Sequence, residues 1–149
     1  MAEAVSIFAI LLLTGFFVYH QSQNTGFFTS SFGMFETILF YLPVPIAVAV
    51  SLIRMATAKR NTARPLEALG AVAWAAAGIW LFIVFPFDFT HLGDALPNGT
   101  QFLLSWVPNW LGRALVLIAG LAGAVNMVYT PIIYFSVRKE ISRHAPLPR

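Results

Sequence analysis

In the segment Asp88-Phe89-Thr90-His91-Leu92-Gly93-Asp94, two carboxylates flank an imidazole at spacings of three. In a helical turn, residues three apart are offset by about 60°, so the three side chains would fan over one side. Carboxylate oxygen and imidazole nitrogen together suit Zn²⁺, Mn²⁺ or Fe²⁺. The same groups could serve as an acid/base pair. Asp88, His91 and Asp94 are therefore the candidate metal ligands, at an outward-facing enzymatic site. Gly93 and Pro97 work against a continuous helix, and no second ligand set accompanies the three. The plainer expectation is a loop capped and solvated by its aspartates.

Asn126, Tyr129 and Thr130 form a second group, set within an apolar stretch. With Tyr41 and Ser51 they could line a polar path for an ion or solute. The same side chains could instead hold helices together, since hydrogen bonds between helices in lipid average about 0.6 kcal/mol. Glu36 and Arg113 are a third group. Charge inside an apolar segment is costly and commonly functional, and a Glu36–Arg113 ion pair would relieve it.

His20 and His144 lie at the ends of apolar runs. Neither sits inside a helix at a depth where it could serve as an axial haem ligand, so no cofactor is expected. The absence of cysteine excludes disulfides, thiolate metal sites and cysteine nucleophiles.

The elements that must carry these residues are apolar. Of 149 residues, 58% are hydrophobic and 10% charged, against about a quarter charged in a soluble domain. Mean hydropathy is +0.76. A chain of this size could not cover such a surface in water. Four apolar runs, 2–20, 33–56, 66–87 and 110–137, each approach the roughly twenty residues that cross a ~30 Å hydrocarbon core. The first run begins Met1-Ala2-Glu3-Ala4, without a basic leader or a small-residue cleavage site, and reads as an uncleaved helix. Pro43 and Pro45 predict a kink in the second run, and Pro65 marks the start of the third. The fold class expected is all-α, a polytopic membrane protein with four transmembrane helices.

Charge sets the expected orientation. Eight of the nine Lys and Arg residues lie between Arg54 and Arg64 or in the tail from Arg138, and Arg113 is the exception. Positive residues stay in the cytoplasm, which puts the 57–65 loop, the 138–149 tail and both termini inside. The loops 21–32 and 88–109 then face outward, and they carry Phe27, Phe28, Phe89 and Trp106. Aromatic rings favour membrane boundaries. The net charge of +3 therefore reads as a topology signal, and no nucleic-acid partner is expected.

Small residues mark where helices approach each other in lipid. Ala68, Ala71, Ala75 and Gly78 recur at steps of three and four, as do Ala119, Gly123, Asn126 and Thr130. These two faces are expected to meet each other or a partner. The function expected from these features is a non-catalytic bundle of the plasma membrane that self-associates or serves as a subunit. A channel or transporter and an outward-facing metal enzyme are the alternatives.

Overall fold

The computed structural model describes residues 2–57 and 60–144, so Lys59 of the basic loop and the end of the tail, with Arg149, lie outside the described residues. The described residues form six α-helices and one 3₁₀ turn: α1 (Ala2–Gln23), α2 (Met34–Tyr41), α3 (Pro43–Thr57), α4 (Arg60–Val84), the 3₁₀ turn Phe89–Ala95, α5 (Phe102–Ser105) and α6 (Asn109–His144). Among the described residues, four spans are long and apolar enough to cross a membrane, with α2 and α3 together making the second.

Two prolines explain the division of that second span. Pro43 and Pro45 occupy the first turn of α3, where backbone N–H groups have no partner within the helix and proline loses nothing. Pro65 behaves differently from the expectation. It lies inside α4, which begins at Arg60. Ala63, just ahead of the proline, is fully buried, so packing sustains the turn that local sequence disfavours. The fourth span also runs further than hydropathy indicates, to His144. Its last turns are held by exposed pairs such as Arg143–Glu140 at 3.8 Å.

The helix α4 is central. It packs most extensively on α6 and then on α3, and α3 carries α1. Glycine governs the α4–α6 contact. A Cβ placed on Gly78 would collide with the backbone of Gly120, and one on Gly123 would lie 2.5 Å from the Ala75 nitrogen. The two backbones touch there, so Gly78, Gly120, Gly123 and Ala75 form the contact line. Ala71, also buried, continues the α4 side of this seam, while Ala68 is half-buried.

At one end of the bundle, aromatic rings replace aliphatic packing. Phe27, 1% exposed, has the rings of Phe17, His20, Phe28, Phe87 and Phe89 within 5.0–5.5 Å of its own. Phe28 and Phe87 form an antiparallel bridge, flanked by the bonds Thr29 N–H to Pro86 O and Asp88 N–H to Phe27 O. The opposite end is charged. Arg54 of α3 bonds Glu67 of α4 and lies 3.5 Å from Glu3 of α1. From Glu3 to His20, and from Glu67 to Val84, is seventeen residues, or about 25 Å at 1.5 Å per residue. The apolar slab between the two ends is close to a hydrocarbon core in thickness.

Candidate functional site

The geometry separates the residues singled out above. In the connector, Asp88 caps the 3₁₀ turn: its Oδ1 accepts from the N–H and hydroxyl of Thr90 and from the side-chain amide of Asn109. The Thr90 hydroxyl leads the interactions that hold the Asp88 carboxyl below its ordinary range. Asn109 also accepts from Phe89 N–H at 2.6 Å, tying the start of α6 to this turn. Residues three apart eclipse in a 3₁₀ helix, so His91 Nδ1 and Asp94 Oδ2 meet at 2.8 Å. Asp88, in extended backbone at the cap, is held elsewhere. The expected three-ligand set is thus corrected to a pair and a cap, and no metal-ligand cluster occurs among the described residues. The His91 ring lies over Gly26, whose φ of +96° and 3.0 Å approach leave no room for a side chain.

The expected Glu36–Arg113 pair is not formed either. Glu36 accepts from Trp80 Nε1 at 3.0 Å and from Gly33 N–H at 3.1 Å. The Arg113 guanidinium lies 5.0 Å from the ring centre of Phe82 and 5.6 Å from that of Phe85, a cation–π arrangement that needs no carboxylate. Tyr41 donates to Gln21 at 3.2 Å, and Tyr129 is 59% exposed. Neither joins the polar residues of α3 and α6.

Those residues meet in a groove. A cavity of about 530 Å³ runs across α4, walled by α3 and α6, with Ile10 of α1 at its margin. Gly70, Ala71 and Trp74 form its floor. Ser51 and Arg54 stand on one wall, Ala119, Gly123, Asn126 and Thr130 on the other, and Glu67 lies by the charged end. Small residues on α4 and α6 create the space, because bulkier ones would fill it. A second hollow of about 580 Å³, between α1 and Ala95-Leu96, is lined by apolar side chains and Tyr19. It offers little to recognise a polar group.

The groove is graded in polarity. Ser51 is one turn deeper than Arg54, and Asn126 lies one turn deeper than Thr130. Beyond them the walls are Ala47, Ile46 and Ala119. Asn126, expected to be an interior amide joining two helices, is instead exposed at the groove's edge and donates to its own helix at Ala122 O, 3.0 Å. Ser51 and Thr130 are 6% and 9% exposed. Neither hydroxyl forms a hydrogen bond among the described residues, whereas Ser6, Thr14, Thr37 and Thr57 all close onto the carbonyl four residues back. Both hydroxyls stay accessible from the groove that they line.

Sequence reasoning overlooked three contributors to this architecture. Glu67 carries no expected role, although its thirteen-residue separation from Arg54 across a turn is a usable signal. Gly120 was passed over beside Ala119, although it stands three residues from Gly123. His20, dismissed as a ligand, is a buried brace. Its Nε2 lies 3.2 Å from Leu92 O and its Nδ1 lies 2.5 Å from Thr25 Oγ1. A carbonyl only accepts, so Nε2 carries the proton and the neutral ring accepts from Thr25 through Nδ1.

Compared with protein families, characterised proteins and solved structures, the chain matches none.

Proposed function

We propose that the protein is a non-catalytic multi-pass protein of the cell membrane that holds an amphiphilic molecule in the groove between α3 and α6, alone or as a subunit of a larger assembly. The positive end, with Arg54, Arg64 and Arg138, faces the cytoplasm in this reading, and the aromatic end faces out. The amphiphile then enters from the inner leaflet. The observation that carries the proposal is the gradient along one cavity. An ion pair and two hydroxyls that bond no protein partner among the described residues lie at one end, and aliphatic and tryptophan surface lies at the other.

The groove follows α6 from Ala119 to Thr130, about 16 Å, and encloses about 530 Å³. The volume falls within the ~300–1,000 Å³ of small-molecule sites. A channel through one copy is disfavoured by the aromatic end, where Phe27, Pro86, Phe87 and Phe89 are buried.

Photolabelling tests the reading. A phospholipid with a photoreactive group in its chain should label Ile46, Ala47 and Trp74. Ala122→Trp, which adds bulk at an exposed position on the groove wall, should abolish that labelling. Labelling spread evenly over faces such as Leu121 and Val128, and unchanged in the variant, would show that the groove holds no amphiphile.

A further inference from the structure

We infer that the groove selects a glycerophospholipid whose headgroup carries both charges, a phosphate and an ammonium; the inference rests on the amphiphile reading above. The unfilled polar groups of the groove include several donors. The Arg54 Nε–H is buried without a partner. The Ser51 and Thr130 hydroxyls line the groove and bond no protein partner among the described residues. Asn126 uses its amide only toward Ala122 O, leaving a second N–H available. A ligand rich in acceptors satisfies this set, and the ester carbonyls and phosphate of a glycerolipid are acceptors.

Depth agrees with that order. Arg54 stands at the charged end, Ser51 is about 4.5 Å deeper and Asn126 about 6 Å deeper than Thr130, at 1.5 Å per residue. Phosphate would meet Arg54, the ester groups would meet the hydroxyls and amide, and the chain would lie along Ala47, Ile46 and Trp74.

Charge at the mouth selects among headgroups. Arg54 is already shared by Glu3 and Glu67, so these three side chains sum to −1. Arg64, one turn before Glu67 on α4 and holding a buried, unpartnered Nη1, lies outside the groove's lining. An anionic headgroup would have to compete with two carboxylates for Arg54. A headgroup of both signs places its phosphate at Arg54 and its ammonium at the carboxylates, so that each charge has a partner.

Native mass spectrometry of the detergent-purified protein, challenged with phosphatidylethanolamine and phosphatidylglycerol of identical chains, tests this. The parent should hold phosphatidylethanolamine at least fivefold more tightly. Glu67→Gln should bring the ratio toward one. Ser51→Ala with the isosteric Thr130→Val should weaken both lipids about tenfold without lowering thermal stability. A parent ratio near one, or a preference for phosphatidylglycerol, overturns the inference even if photolabelling maps to the groove. Absence of lipid adducts, together with diffuse labelling, overturns both it and the amphiphile reading. The parent ratio requires no variant to fold.

Discussion

Gly123→Ala adds one methyl group where α6 meets α4, and the structure sets its cost. The new Cβ would lie 2.5 Å from the Ala75 nitrogen and 2.9 Å from the Trp74 carbonyl carbon, where ordinary contact begins at 3.4 Å. The deficit at the nitrogen is 3.4 − 2.5 = 0.9 Å, and both obstructing atoms are backbone, so rotamer changes give no relief. The helices must part by nearly that distance. A radial gap of ~0.5–1 Å forfeits a quarter to a half of each dispersion contact along the seam, and overpacking of this kind costs about 1–3 kcal/mol. At ~1.4 kcal/mol per decade, the folding equilibrium should fall roughly 5- to 140-fold. Gly15→Ala is the control, since an added Cβ there meets nothing within 4 Å and alanine gains about 0.5–1 kcal/mol in a helix interior. Unfolding in mixed micelles, followed by far-ultraviolet circular dichroism, measures both variants. If Gly123→Ala is as stable as Gly15→Ala, the backbone contact does not hold α4 to α6 and the packing argument fails.

Acid should loosen the start of α6 through Asp88. Its carboxyl lies below the ordinary value of 3.8, first because of the Thr90 hydroxyl, so its stabilising contribution is complete above 3.8 and disappears as pH falls through the lowered folded value. The effect is small because the group is largely open to water. Fluorescence of the neighbouring Trp110 should change in that acid range in the parent and not in Asp88→Asn; identical profiles would remove Asp88 as the cap that titrates. Exchanging charges in Glu36→Arg with Arg113→Glu should give no rescue over the single variants, because their partners are Trp80 and the Phe82 and Phe85 rings. A coupling energy above about 0.5 kcal/mol in the double-mutant cycle would contradict that placement.

Much of the scaffold was legible before any coordinates. Each span is a sum of transfer terms over about twenty neighbouring residues, so single errors matter little, and the four apolar runs correspond to four long helices. Their ends were harder to place, as Pro65 and the charged turns up to His144 show. An end depends on caps, packing and solvation rather than on the sum. In the candidate site, Ser51, Asn126 and Thr130 stood out because a polar residue in an apolar run is conspicuous. Tyr41 and Tyr129 stood out for the same reason and belong elsewhere, since conspicuousness carries no information about direction.

The sequence by itself determined that this chain contains four runs long and apolar enough for a bilayer, with its basic residues and its connector aromatics segregated. Those properties are local and additive. Tertiary structure alone decided that Asp88 caps its turn while His91 pairs with Asp94, that Arg113 lies over phenylalanine rather than beside Glu36, and that Arg54 finds Glu67. It also decided that a groove opens beside the Gly78–Gly120 and Ala75–Gly123 contacts. These facts depend on the register between helices distant in sequence. That register is set where two backbones can touch, and no single segment contains that information.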